Sequence, residues 1–463
     1  MLQKNKTYPL HVAELNNLGF GVARHEGQVD FVSGALPGEE VEARVLKVTK
    51  TYAVAKTEKI LTPSPHRIPD PCSSKGCGGC IYGTTCYEEE LRIKAQNVRD
   101  SFLRHGISDA KVESTVSAGD IYHYRNKAQY PVSQNQDGTC RIGFYAPHSH
   151  RVIEARECLL QPTDFAKILS VIGGFVEKYK ISIYSEEKKQ GLLRHIYLRR
   201  SEENREVLVV LVVNGSSLPY ADKLISALQE GEVKIAGILL CENKADTNVV
   251  LGDTYHMLWG KDYITDTLAG VKLKLTAPAF YQVNHAATEA LYALAKEKAA
   301  LTGSELLLDL FCGVGSIGLS MADGVKELIG VEIVPEAVEC AKENAKACGI
   351  QNACFYCADA TDTSKILSLA EKERGRPIRP DVVVLDPPRK GCSPTLLSYV
   401  SSLSPAKIVY ISCNPDTLAR DCALLTQNGY QMGVVTPVNL FPRTSHVESV
   451  VCLTRRLDVD MRR

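Results

Sequence analysis

Four aliphatic-rich runs late in the chain constrain its fold more than any other feature. "LLLDLF" (306–311), "ELIGVE" (327–332), "VVVLD" (382–386) and "KIVYIS" (407–412) lack the strict polar alternation of a half-exposed strand. Helical segments lie between them. Buried strands alternating with helices make a parallel α/β sheet. Such sheets bind ligands in the crevice outside the carboxyl ends of their strands. The residues that follow each run are therefore where chemistry is to be sought.

After the first run comes "CGVGSIGLSMA", in which Gly313, Gly315 and Gly318 satisfy G-x-G-x-x-G. Taken alone this admits a nicotinamide oxidoreductase. Glu332 ends the next run, where a carboxylate can accept hydrogen bonds from ribose hydroxyls. The third run ends at Asp386, followed by Pro387 and Pro388, a rigid polar turn over the crevice. The fourth stops at Cys413-Asn414-Pro415. A packing cysteine belongs inside an apolar run, where it behaves as a small hydrophobe. Cys413 instead follows the run and faces whatever binds at the sheet's end. A carboxylate, Glu448, begins the final strand in "NLFPRTSHVESVVCL", again at a rim.

The front of the chain has a different grammar. Residues 1–62 alternate apolar and polar residues between glycine and Pro-Gly turns, which predicts a small β-barrel. "LTPSPHRIPDPC" is a proline-rich linker. From Cys72 to about residue 270 the pattern is mixed, with a helix from Tyr87 to about His105 and strands such as "VLVVLVV" (207–213). Arg125, Lys127, Arg194, Arg199 and Arg200 lie among Tyr122, Tyr124, Tyr130, Phe144, Tyr145 and Tyr197. Such interleaving suits stacking on unpaired bases beside phosphate contacts, or a solvated sheet face. Phe280 could stack on a base, though an aromatic at a domain junction is more often core. The formal net charge is zero, so any nucleic-acid contact must come from local patches. No secretory leader is evident, the longest aliphatic run is too short to span a bilayer, and sixteen cysteines then predict reduced thiols, metal ligands or a catalytic thiol. Cys312, Cys340, Cys348, Cys354, Cys357, Cys392 and Cys422 are expected to pack.

The motifs "FYQVN", "LDLFCGVGSIGL", "LDPPRKG", "ISCNPDTLARD" and "FPRTSHVE", in that order, resemble the RNA uracil-C5 methyltransferase family. The opening "GFGVARHEGQVDFVSGALPGEEVEARV" resembles its TRAM domain, an RNA-binding module of the ribosomal-RNA members that the transfer-RNA enzyme lacks. The resemblance implies Cys413 as nucleophile and Glu448 as base. It also implies Gln282, Phe311, Glu332, Asp359 and Asp386 at the S-adenosylmethionine site, with Ser316 beside a position where the family commonly has asparagine. C5 of uracil is too weak a nucleophile to take a methyl group unaided, and thiolate addition at C6 activates it, after which a base removes the C5 proton.

Cys72, Cys77 and Cys80 in "CSSKGCGGC", with Cys158 far downstream, leave zinc and [4Fe–4S] both open on spacing alone. The resemblance implies a [4Fe–4S] cluster on these four, although the first gap is one residue shorter than in the family and Cys86 competes as fourth ligand. The expectation is an α/β multidomain chain: an OB-like TRAM β-barrel (1–62), a central α+β iron–sulfur domain (63–275) and a Rossmann-like S-adenosylmethionine methyltransferase domain (276–463). It would methylate an unpaired or flipped uridine of 23S rRNA, as a cytoplasmic monomer without membrane contact. The rival readings are a transfer-RNA uracil methyltransferase, a non-catalytic RNA-binding protein and a nicotinamide oxidoreductase.

Overall fold

The computed structural model describes residues 2–456. The four aliphatic runs are parallel neighbours in an eight-stranded sheet. Its order is Ala353–Cys357, Glu327–Glu332, Leu306–Leu310, Val382–Leu385, Lys407–Ser412, Glu448–Arg455, Tyr430–Met432, with Thr436–Val438 also paired to Glu448–Arg455. The last strands run antiparallel, and Ser412 faces Ser449 across the pairing. That register sets the start of one strand, Glu448, beside the end of its neighbour, where Cys413 follows. Alternate residues enter two layers: Leu307, Val384, Val409 and Ile411 pack on one face, and Leu308, Leu310, Leu385, Ile408 and Tyr410 on the other. Burial on both faces explains the near-continuous aliphatic runs.

The "CNP" break is a strand end passing into a helix. Asn414 caps Pro415–Gln427 by accepting a bond from the Asp416 amide (3.1 Å), and Pro415, with no N–H to satisfy, occupies the first turn. Asn284 and Ser393 cap the helices His285–Ala299 and Pro394–Ser402 in the same way.

Residues 7–62 form a closed five-stranded barrel in the order Thr7–Leu15, Gly21–His25, Gln28–Ser33, Tyr52–Thr62, Glu40–Val48. Val12, Val32, Val41, Ala43 and Ala55 fill it. Its loop at Asn16–Phe20 rests on the rest of the chain. A side chain at Gly19 would meet Ile81 at 2.0 Å, and the Asn17 amide donates to Asp416 at 3.2 Å. The linker is fastened by Arg67, whose guanidinium holds the fully buried Glu39 at 2.5 and 2.8 Å.

The central part carries a seven-stranded sheet, Thr254–Gly260, Ile235–Glu242, Val207–Val213, Leu193–Arg200, Lys127–Gln134, Cys140–Tyr145, Val152–Glu154, backed by Thr163–Lys178 and Ala221–Gln229. The helix Tyr87–Arg104 leaves this part and packs Val98 and Phe102 into the parallel sheet's core. Burying Phe102 completely is worth about 2–3 kcal/mol, and an alanine there costs about 3–5 kcal/mol once the cavity is included.

Several sequence expectations fail here for physical reasons. Arg194, Arg199, Arg200, Tyr130 and Tyr197 are buried rather than set for base stacking. Arg199 donates to the carbonyls of Thr276 and Ala279 at 2.6 Å each, and Arg194 to those of Asn243 and Ala245. These guanidiniums bind strand ends and loops together. Of the two readings for Phe280, a stacking surface or core, its 62% exposure excludes the core. Cys312, Cys392 and Cys422 are buried as expected, but Cys354 and Cys357 stand exposed on an edge strand.

Candidate active site

Five of the residues singled out in the sequence lie at or just beyond the carboxyl ends of parallel strands: Phe311, Glu332, Asp359, Asp386 and Cys413. Glu448 joins them through the antiparallel register. Cys413, half-buried, senses Glu448 and Asp386 as neighbouring negative charges. Burial first, then these two carboxylates, push its thiol up to about 11, while Arg389 pulls the other way. Glu448 is 3% exposed, and burial followed by the charge of Asp386 raises its carboxyl to about 8. Desolvation alone raises Asp386 to about 7. One thiol and two carboxyls thus share a pocket in which ionising any one disfavours ionising the others.

Arg389 stands over the pocket. It donates to the imidazole of His446 at 3.1–3.2 Å, while its carbonyl accepts from Asn414 at 2.9 Å, tying the turn after Asp386 to the turn after Cys413. Burial and the cations Arg389, Lys94 and Arg125 drive His446 down to about 4, so it is neutral and able to hydrogen-bond a pyrimidine edge. Arg125, Lys127 and Arg389 form no ion pair among the described residues. They supply the unpaired local positive charge that the net charge conceals.

The neighbouring crevice is shaped by the glycine turn. Phe311 has φ +67° and its amide bonds the Val331 carbonyl at 3.0 Å, turning the chain sharply off the strand. Gly318 admits no side chain, since a Cβ would lie 2.7 Å from Asp309 Oδ2, which accepts from the Gly318 amide at 2.9 Å. Glu332 accepts from the amides of Gly313, Ile333 and Val334 at 2.9–3.0 Å, so its carboxylate is pinned beside the glycine turn. Ile333 and Val334, 58% and 46% exposed, offer an apolar wall beside it. Asp359 accepts from the Thr361 amide and hydroxyl, which hold its carboxyl below the usual range. The Ser316 hydroxyl bonds Tyr292 at 2.8 Å. Gln282 lies on the segment leading to the Asn284 cap, and its carbonyl accepts from Asn126 at 2.9 Å. The side chains present fit an adenosyl ligand, with a pinned carboxylate, an apolar wall and a glycine turn.

Two residues, Asp309 and Tyr292, were not anticipated. Asp309 is fully buried with Oδ1 unpartnered, and burial raises it to about 8. An acid inside "LLLDLF" was a visible signal. Tyr292 also feels Asp386 and Glu448, and His446 meets Arg389; only tertiary contact reveals either.

Cys80 is pushed up to about 12 by burial and by the neighbouring thiols of Cys158, Cys72 and Cys77. Cys86 is set apart, 3.5 Å from the His66 ring. Among the described residues no three ligating side chains stand close enough to hold a metal ion. The four thiols are neighbours without forming a finished ligand shell. An all-sulfur donor set suits a thiophilic metal or an iron–sulfur cluster. No described helix is long and apolar enough to cross a membrane.

A family model described as tRNA (Uracil-5-)-methyltransferase matches residues 210–456, and a TRAM domain model matches residues 2–57. This chain belongs to the RNA uracil-5 methyltransferase family. It is 40% identical to an uncharacterized RNA methyltransferase of Clostridium tetani over 98% of this chain and 97% of the relative. A similarly described protein of Halalkalibacterium halodurans is 39% identical over 98% of each chain. The crystal structure of Pyrococcus abyssi tRNA (uracil-54, C5)-methyltransferase, complexed with S-adenosyl-L-homocysteine, superposes with a TM-score of 0.77 at 25% identity, covering 96% of this chain and 99% of that one. The protein is therefore an S-adenosylmethionine-dependent RNA (uracil-5)-methyltransferase with an N-terminal TRAM domain and a C-terminal methyltransferase fold. The oxidoreductase and non-catalytic readings fall away.

Proposed function

We propose that the enzyme methylates C5 of a uridine in 23S rRNA through a transient bond between Cys413 Sγ and C6 of the base. The supporting observation is the register that sets Cys413 beside Glu448 and Asp386 at one rim. In this reading Cys413 loses its proton and adds to C6, which leaves C5 carbanion-like. C5 then bonds the methyl carbon that S-adenosylmethionine, when bound, would supply on a sulfonium sulfur; the sulfur–methyl bond breaks and S-adenosylhomocysteine is the leaving group. Ionised Glu448 then takes the C5 proton, the C5=C6 double bond re-forms, and the thiolate leaves; one proton is released per methyl transferred. Arg389 offsets negative charge as it develops, and neutral His446 orients the base. Gln282, Phe311, Ser316, Glu332, Asp359 and Asp386 would surround the methyl donor.

A paired uridine cannot reach this pocket, so the target is unpaired or flipped out, at a cost of a few kcal/mol that stacking on a ring such as exposed Phe280 offsets by about 1–3 kcal/mol. Arg125 and Lys127 would meet flanking phosphates. The protein acts as a monomer in the cytoplasm. Cys72, Cys77, Cys80 and Cys158 would hold a [4Fe–4S] cluster, giving the segment between barrel and catalytic sheet a rigid anchor; iron and sulfide analysis of protein purified without oxygen tests this.

A transfer-RNA target is the second reading, favoured by the Pyrococcus enzyme. The 4% of this chain left uncovered is far smaller than the barrel, so a barrel does not by itself separate the two targets. Labelled S-adenosylmethionine with unmodified ribosomal and transfer RNA, followed by mapping of the modified nucleotide, decides. Product in 23S rRNA supports the proposal, and product in transfer RNA alone overturns its target.

A further inference from the structure

Between Val438 and Glu448 the chain makes a turn that rests on the sheet's core through Leu440 and Val447. Asn284 and Tyr124 donate to its Leu440 and Pro442 carbonyls, and its buried charged contacts all come from the cysteine-bearing segment and the helix after it. Arg443, 3% exposed and at φ +69°, donates to the carbonyls of Tyr82 (3.3 Å) and Thr85 (2.7 Å) and meets Glu90 at 3.5 Å, while its own carbonyl accepts from the Tyr82 amide at 3.0 Å. Fully buried Lys94 donates to Asn439 Oδ1 (2.6 Å) and the Phe441 carbonyl (3.0 Å), and pairs with fully buried Glu90 at 3.0 Å. Glu90 also accepts from the Asn439 side chain and the Arg443 amide. Methyl transfer uses none of these groups. Buried charges are costly unless fully bonded, and these converge on one turn. Tyr82, Thr85, Glu90 and Lys94 are thus bonded to the turn whose chain continues through His446 to Glu448.

We propose that Arg443 and Lys94 are positioning residues for the base Glu448: they make the segment 82–94 the scaffold that keeps the 439–447 turn closed over the catalytic carboxylate. This rests on Glu448 being the base. The groups facing Glu448 are Asp386 and Arg389 from one turn, Cys413 from the next strand, and Tyr292 from the helix beneath. None belongs to the clamp, and only Arg389 touches the turn, through His446, so opening the turn acts on Glu448 chiefly by admitting water.

The test uses the full chain as wild type, Arg443→Met, Arg443→Lys and Lys94→Met. Methyl transfer to RNA is followed across pH, S-adenosylhomocysteine affinity is measured alongside, and native hydrogen exchange is read by peptide. Arg443→Met should lower kcat by about tenfold or more with cofactor affinity unchanged, and move the acidic limb of the kcat profile down by about one pH unit as water reaches Glu448. Arg443→Lys should restore part of both effects. In the wild type, residues 439–447 should exchange in step with 82–94 rather than with the parallel strands. A kcat that falls with the limb unmoved overturns the proposal, as does exchange of the turn in step with the sheet. Lys94→Met carries the same readings if Arg443→Met does not fold, and the wild-type exchange experiment needs no variant. A wild type that makes no 5-methyluridine would instead overturn the methyl-transfer reading.

Discussion

The thiol of Cys413 should be unusually quiet in the free enzyme. Its site holds it near about 11, so ionisation at about pH 7.5 costs about 5 kcal/mol, against about 1.4 kcal/mol for an ordinary thiol near 8.5. Thiolate is then about 300-fold scarcer than in free cysteine, and the higher basicity of the thiolate returns about 10–20-fold in nucleophilicity. Alkylation by iodoacetamide at about pH 7.5 should therefore run about 20-fold slower than at a free thiol. Exposed Cys354 and Cys357 provide reference peptides in the same digest. Glu448 follows burial as the largest influence on the thiol and is itself raised to about 8, so at about pH 9, where it is ionised, Glu448→Gln should speed alkylation of Cys413 several-fold, while slowing methyl transfer. A thiol that becomes more reactive in a less active enzyme is the diagnostic outcome. Cys413 reacting as fast as Cys357 in the free wild type, or no faster in Glu448→Gln, would refute the reasoning.

RNA carrying 5-fluorouracil should form an adduct resistant to denaturing electrophoresis with wild type and none with Cys413→Ala. Glu448→Gln should still form an adduct with ordinary RNA while turnover falls about 10²–10⁴-fold, because addition precedes the step that needs the base. Asp309, raised to about 8 in the fold from a carboxyl's usual 4 or so, adds stability that is complete below about pH 4 and lost as pH rises through about 8. Thermal melting of Asp309→Asn should accordingly show less loss than wild type over that window, by a few kcal/mol. Lys127→Gln should weaken RNA binding and lower the salt slope by about one, and Arg125→Gln likewise, with cofactor affinity unchanged.

How much of this was legible follows from the kind of signal each feature leaves. Aliphatic runs, glycine spacing and proline-stiffened turns are local, so the parallel strands, the crevice and the rim positions of Asp386 and Cys413 could be read directly. The basic and aromatic residues of the central region misled, because composition does not say which way a side chain faces. Arg199 and Tyr197 sit within strands buried on both faces, and Phe280, either a stacking surface or core by sequence, stands in solvent. The clustering of the four thiols and the separation of Cys86 leave no trace in spacing.

By itself the sequence determined the parallel strands and the turns that follow them, and so where candidate reactive groups would stand, since burial period and turn chemistry are properties of neighbouring residues. Tertiary structure alone decided that Glu448 lies beside Cys413, that Asp386 raises both, and that a helix far upstream holds the turn between them. Antiparallel register and long-range packing join residues hundreds of positions apart, and the resulting loss of water sets the proton affinities that the chemistry uses.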